Sequence, residues 1–254
     1  MAAQTSQDRY VDCNVMVGFP PSGVRVACAN AEDLLREMDW IGVEEALVYH
    51  AVMAHGSPIQ GNQLVLDAVA QRPRLHPTWA LLPPCTEELG SADALLEAMR
   101  DGGVRALWAF PREHHYVLNR LTMGSLLDEV ATRRIPLLVP RGQGWNIIAE
   151  VLADYPDLTL VAVGHGPWGE DRFFRPLLER YPRLYLDISR YELLGGVAEL
   201  VDRYGAERLL YGSGYPYWGM GGPRLMLARA AVSEGDRALI AGGNLKRLLE
   251  EAEL

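Results

Sequence analysis

The sequence has little of what marks several common classes of protein. Its 254 residues include only three cysteines, Cys13, Cys28 and Cys85, and no two of them form a CxxC pair. This spacing argues against a disulfide framework and against a structural zinc site. No apolar run approaches the roughly 20 residues that cross a bilayer. The polar N-terminus MAAQTSQDRY lacks the apolar core of a secretory signal, so we expect a cytoplasmic protein without a membrane partner.

Positive charge is also in deficit. The chain has 24 Lys and Arg against 33 Asp and Glu, which gives a formal net charge of −9. Because phosphates would be repelled, we expect no nucleic-acid partner. No GxGxxG motif follows the first apolar run, which weakens a dinucleotide-binding interpretation. A homodimer is left open.

A repeated pattern of helix, turn and strand runs along the chain. It occurs in AQRPRLHPTWALLP (70–83), ADYPDLTLVAVGHG (153–166), ERYPRLYLDISRY (179–191) and DRYGAERLLYGSGYP (202–216). In three of the four a proline ends the helix, because it disfavours helical geometry in the residue before it. Strands are predicted at 10–17, 44–50, 75–82, 104–110, 136–140, 158–164, 184–189 and 208–213.

Amphipathic segments fill the intervals between these strands. In NAEDLLREMDWIG, Asn30 is placed to cap the start of a helix and Gly42 to end it. Further helices are predicted at 61–71, 91–103, 122–134, 146–154, 170–180, 195–204 and from 223 onward. The alternation predicts an α/β fold, a single-domain (β/α)8 TIM barrel over 10–254 after a flexible N-terminus at 1–9. An open doubly wound sheet is the alternative.

Candidate functional residues stand where the strands end, because the active sites of such barrels lie at that face. Arg112, Arg141 and Arg190 each follow a strand end directly, which favours recognition of a carboxylate or phosphate. Aromatic residues gather in the same loops and would suit a flat ligand. They are Trp108, Trp145, Trp168, Tyr191, Tyr215, Tyr217 and Trp218.

Four stretches of the second half resemble the amidohydrolase superfamily. They are YPDLTLVAVGHG, YPRLYLDIS, LLYGSGYP and GGNLKRLL, in this order and spacing. The resemblance is to the amidohydrolase-related branch, which includes decarboxylases of aromatic acids and dicarboxylate lactonases. It implies one or two divalent metals, usually zinc. The ligands would be an Asp-x-His-x-His after the first strand, histidines after the fifth and sixth, and an aspartate in a GSDYP-like turn after the eighth.

Most of these ligand positions have changed in this chain. Asn14 and Met16 stand for the two histidines of the motif that Asp12 begins, Pro140 for the strand-five histidine and Gly214 for the aspartate. Asp12 and His165 are the positions that match the pattern. A catalytic metal needs about three protein ligands, so we expect no metal cofactor.

Two functions follow from this reading. The first is a metal-independent hydrolase or lyase of the decarboxylase, cyclase or isomerase type. Its substrate would be a small anionic molecule that carries a carboxylate, and the aromatic residues favour one with an aromatic ring. His165 would move protons, and Asp187 would orient it or act as a base. Substrate would be held by Asn14, His50, Arg112, Arg141, Ser189, Arg190 and Tyr217. The second is a non-catalytic protein of this fold that binds a ligand or a partner protein.

Overall fold

The computed structural model of the chain describes residues 9–19, 28–166 and 169–254. The predicted flexible segment 1–9 lies outside the described residues except for Arg9, and so does Trp168.

Short parallel strands form the wall of a barrel. They are β1 Tyr10–Val17, β2 Val43–His50, β3 Leu75–Pro77, β4 Trp79–Ala80, β5 Leu107–Trp108, β6 Leu137–Pro140, β7 Leu160–Val163, β8 Leu184–Asp187 and β9 Leu209–Leu210. We call each strand position in the barrel wall a stave. Strands β3 and β4 are two halves of one stave, which is interrupted at Thr78. The Thr78 amide donates to the Val48 carbonyl (2.9 Å). The nine segments of the described chain therefore make eight staves.

The wall closes on itself between its first and last staves. The ladders run in the order β1-β2-β3 and β4-β5-β6-β7-β8-β9, and all pairs are parallel. The amide of Cys13 donates to the Tyr211 carbonyl (3.0 Å), and that of Met16 donates to the Tyr215 carbonyl (2.8 Å). This seam confirms the predicted (β/α)8 barrel, and the doubly wound alternative is wrong.

Helices surround the barrel. They are α1 Ala31–Ile41, α2 Ala51–His55, α3 Pro58–Val69, α4 Ala92–Asp101, α5 Arg120–Thr132, α6 Trp145–Asp154, α7 Asp171–Arg180, α8 Gly196–Tyr204, α9 Gly221–Arg229, α10 Glu234–Ala238 and α11 Asn244–Glu251. The predicted ends of α1 are confirmed: the Asn30 side chain accepts from the Asp33 amide, and Gly42 is left-handed. Helix α3 starts three residues earlier than predicted, because Ser57 caps it.

The core lies inside the barrel and between the barrel and its helices. All eight residues of β1 are buried, as expected of a parallel strand covered on both faces. Helices α2 and α3 touch backbone to backbone at Gly61, where an added Cβ would lie 2.3 Å from the Met53 Cα. Among the described residues, no helix is long and apolar enough to cross a membrane.

Candidate active site

A cavity of about 270 Å³ opens at the C-terminal ends of the staves. Its described lining consists of Asn14, Tyr49, Trp108, Pro140, Arg141, Gly142, Val163, Gly164, Ser189, Arg190, Gly214, Tyr217 and Trp218. Five of the predicted substrate-binding residues are thus brought together at one opening. They are Asn14, Arg141, Ser189, Arg190 and Tyr217.

A buried carboxylate lies directly beneath the cavity floor. Asp187, at the end of β8, is fully buried. Its Oδ2 accepts hydrogen bonds from the Ser189 hydroxyl (2.7 Å), the Gly164 amide (3.2 Å) and the Asn14 side-chain amide (3.3 Å). Asn14 and Ser189 themselves line the cavity. The Ser189 hydroxyl therefore connects the cavity to the Asp187 carboxyl through a short hydrogen bond.

A second buried acid, Asp12, lies on the neighbouring stave β1. Its Oδ1 accepts from the backbone amides of Asn14 and Ser213, both at 3.0 Å. Its Oδ2 is buried without a hydrogen-bond partner in the described part of the chain. Asn14 thus joins the two acids, because its amide N–H donates to Asp12 and its side chain donates to Asp187.

Burial raises the pKa of both carboxyl groups. Desolvation raises the pKa of Asp12 from 3.8 to about 7, and the negative charge of Asp187 adds to this effect. Desolvation also raises the pKa of Asp187, although the hydrogen bonds from Ser189, Gly164 and Asn14 oppose it. Two buried acids with raised pKa values therefore lie beneath the floor of the cavity.

Two arginines mark the rim of the cavity. Arg141 pairs through its Nε with Glu170 Oε1 (3.0 Å). Glu170 is fixed in turn because its Oε2 accepts from the Trp145 indole (3.1 Å) and the Gly166 amide (3.2 Å). Arg190 lies over the ring of Trp218, with its Cζ 3.6 Å from the ring centroid. The rim thus carries two positioned guanidinium groups.

Aromatic rings form part of the cavity wall. Tyr49 and Trp108 lie with their ring centroids 4.7 Å apart. Trp108 is held by its indole N–H, which donates to the Thr78 hydroxyl (3.0 Å). On the rim, the Tyr217 hydroxyl lies 2.9 Å from His55 Nε2. Flat apolar surface and positive charge therefore meet around one opening.

His165 follows β7, as its sequence position implies, but it does not line the cavity. Its imidazole is fully buried among Phe174, Tyr191 and Trp145, with ring centroids 5.1, 5.4 and 6.4 Å away. Neither ring nitrogen makes a hydrogen bond of normal geometry to the described residues. Desolvation lowers its pKa to about 4, so the ring is neutral at pH 7. A proton-transfer role for His165 stays a prediction.

Two other predicted binding residues also lie outside the cavity lining. His50 caps α2, because its Nδ1 accepts from the Val52 amide (3.2 Å). Arg112 is exposed, and its backbone amide donates to the Gln143 side chain (3.0 Å). Sequence reasoning missed Tyr49, which faces the cavity in place of His50. Adjacent residues of a strand point to opposite faces, so Tyr49 and His50 cannot both face the cavity. The alternation of side chains along β2 is the signal that distinguishes them.

The sequence model of the amidohydrolase family matches residues 16–250. The chain belongs to this family. A search of curated proteins finds no match. Among solved structures, the chain is similar to an uncharacterised TIM-barrel protein from Bordetella bronchiseptica (20% identity, TM-score 0.73, 96% of this chain and 99% of that one). At such identity the likeness concerns the fold alone.

Two further amidohydrolase-fold structures of similar shape are decarboxylases. One is 5-carboxyvanillate decarboxylase from Sphingomonas paucimobilis (14% identity, TM-score 0.71, 96% of this chain and 99% of that one). The other is a dihydroxybenzoic acid decarboxylase from Polaromonas sp., with bound manganese and the inhibitor 2-nitroresorcinol (14% identity, TM-score 0.71, 97% and 98%).

The residues of this amidohydrolase-family chain do not fit the metal site that the family implies. Met16 is fully buried, and Gly214 has no side chain to offer. The Asn14 amide is turned so that its nitrogen donates to Asp187. Across the described ranges, no three His, Cys, Asp or Glu side chains converge as metal ligands would.

Proposed function

We propose that this amidohydrolase-family protein binds a small aromatic carboxylate in the mouth cavity and acts on it as a metal-independent hydrolase or lyase. One observation carries the proposal: two rim arginines and an aromatic wall surround one opening above the paired Ser189 and Asp187. The cavity of about 270 Å³ is smaller than a typical drug-sized pocket and suits a single-ring compound.

Charge would fix the ligand at the rim. A guanidinium presents a planar fork that matches a carboxylate. The ion pair of Arg141 with Glu170 uses Nε, which leaves the terminal nitrogens of this cavity-lining residue available to a ligand. The ring of the ligand would then lie among the aromatic residues that line the cavity, Tyr49, Trp108 and Trp218. The decarboxylases of similar fold, which act on aromatic acids by their names, support this substrate class.

Proton transfer would run through Ser189. Its hydroxyl donates to Asp187 Oδ2 at 2.7 Å, and burial raises the pKa of that carboxyl toward the range useful for acid–base chemistry. In a decarboxylation the C–C bond would break, CO₂ would leave, and the electron pair left on the ring carbon would take a proton. Asp187 in its protonated form would donate to the Ser189 oxygen, the reverse of the hydrogen bond above, while the Ser189 hydroxyl gives its own proton to the ring carbon. Solvent would then return a proton to Asp187.

Binding is tested by calorimetric titration of benzoate and hydroxybenzoates. Replacing Arg141 with alanine should weaken binding by about 1.5–3 kcal/mol, because a hydrogen bond to a charged group is lost. Arg112→Ala is the matched control, because Arg112 follows the preceding stave but does not line the cavity. The anion-site proposal fails if no aromatic carboxylate binds the wild type, or if the two variants behave alike.

Turnover is tested separately on the acids that bind. Chromatography of the products measures decarboxylation or hydrolysis. We expect Asp187→Asn to lose this activity and to keep ligand binding. A second candidate function, a non-catalytic binding protein, is favoured by the burial of Asp12, Asp187 and His165. Ligand binding by the wild type without any product would select that second function.

A further inference from the structure

Trp218 is a rim residue whose position depends on two neighbours. Its indole carries the Arg190 guanidinium on one face, with 3.6 Å between Cζ and the ring centroid. This is the geometry of a cation–π contact, which restricts both side chains. Both residues line the mouth cavity, and Trp218 is 50% exposed. The indole is therefore held in place and still accessible to a ligand.

The edge of the same indole occupies the space beside Gly214. A Cβ built at Gly214 would lie 3.0 Å from Trp218 Cδ1, and it would also lie 3.7 Å from the side-chain nitrogen of Asn14. Gly214 has a φ of +68°, a conformation that residues with side chains rarely adopt. The amide of Trp218 donates to the Gly214 carbonyl (3.2 Å), and the amide of Gly214 donates to the Asn14 carbonyl (3.0 Å). The turn thus brings the indole against the position that lacks a side chain.

We propose that Trp218 is a specificity-determining residue that selects planar ligands, and that Gly214 provides the room for it. The inference rests on the proposed function and names the feature that recognises the ring of the substrate. Arg141 attracts the carboxylate of any ligand, whether or not the ring of that ligand is planar. An aromatic ring placed against the fixed indole gains a contact beyond buried area, whereas a saturated ring of the same charge does not.

The experiment compares benzoate with cyclohexanecarboxylate, which has the same charge and a ring that is not planar. Dissociation constants of both acids are measured by calorimetry on the wild type, Trp218→Leu, Trp218→Phe and Gly214→Ala. The readout is how the ratio of the two constants changes between proteins, since the hydration of each acid is the same in every titration. Circular dichroism checks that each variant is folded.

Trp218→Leu should reduce the preference for benzoate by roughly two- to tenfold, the range that aromatic pairs contribute. Trp218→Phe should retain most of it. Gly214→Ala should reduce it as well, because the added Cβ displaces the indole. Arg141→Ala should weaken both acids equally and leave the ratio unchanged.

Three other results would each contradict a specific part of the proposal. If both acids bind and Trp218→Leu keeps the wild-type ratio, Trp218 does not select planar ligands. If only Gly214→Ala keeps that ratio, the role of Gly214 is wrong and that of Trp218 stands. If neither acid binds the wild type, the proposed function itself fails, and this inference fails with it.

Discussion

Replacing Asp12 with asparagine should stabilise the protein at alkaline pH. Asp12 is fully buried, and its Oδ2 has no hydrogen-bond partner in the described chain. Asparagine keeps the oxygen that accepts from the Asn14 and Ser213 amides and cannot become charged. The substitution therefore removes a buried negative charge and retains the two hydrogen bonds that hold the side chain.

The size of the effect follows from the pKa of Asp12. Folding raises it from 3.8 to about 7, a gap of about 3 units and thus about 4 kcal/mol at about 1.4 kcal/mol per unit. Between these two values the folded protein keeps a proton that the unfolded chain releases. Wild-type stability therefore falls as the pH rises through this window, and the full penalty is present above about pH 7. In Asp12→Asn the penalty is absent at every pH.

Urea unfolding of both proteins between pH 5 and pH 8 measures this difference. The stability of Asp12→Asn relative to wild type should rise by about 2 kcal/mol across the two units below pH 7. Asp187, whose pKa burial also raises, is present in both proteins, so its own contribution largely cancels. Asp157→Asn, at an exposed position, is the control and should show no such rise. If the difference in free energy of unfolding between Asp12→Asn and wild type does not change with pH, the reasoning is refuted.

Two further predictions concern the metal and the packing of the helices. Elemental analysis of protein purified without chelators should find far less than one transition metal per chain, because the donor set at the barrel mouth does not fit one; a full equivalent retained through desalting would contradict this. Gly61→Ala should lower the free energy of unfolding by about 3 kcal/mol, because its Cβ would lie 2.3 Å from the Met53 backbone. Gly222→Ala, with nothing within 4 Å of the new Cβ, should be close to neutral in the same urea titration.

The barrel could be predicted because its signals are local. The cap at Asn30, the glycine at position 42 and the prolines before the later strands each act on the nearest few residues. Strand lengths were predicted less well. The segment 104–110 forms ladder pairs with both neighbouring strands only at Leu107–Trp108. The chain nevertheless continues along the wall, since the Ala109 amide donates to the Leu138 carbonyl.

The site could be predicted only where strand order decides it. Arg141 lines the cavity as its place after β6 suggests. His165 follows the adjacent stave, yet its imidazole is enclosed by rings from α6, α7 and the loop after β8. Those rings are distant in sequence, so no spacing shows that they enclose the imidazole. The same holds for Asp12, whose raised pKa depends on its burial and on the charge of the distant Asp187.

The seam between β1 and β9 gives this protein an internal reporter of its own opening. Cys13 is fully buried there, and its amide is hydrogen-bonded to the Tyr211 carbonyl. A thiol reagent reaches the buried Cys13 and Cys28 only after the structure around each of them opens, whereas Cys85 is exposed and reacts at the surface. The ratio of the Cys13 and Cys85 labelling rates, separated from Cys28 by peptide mapping, therefore measures how often the wall around Cys13 opens under native conditions, without any engineered probe.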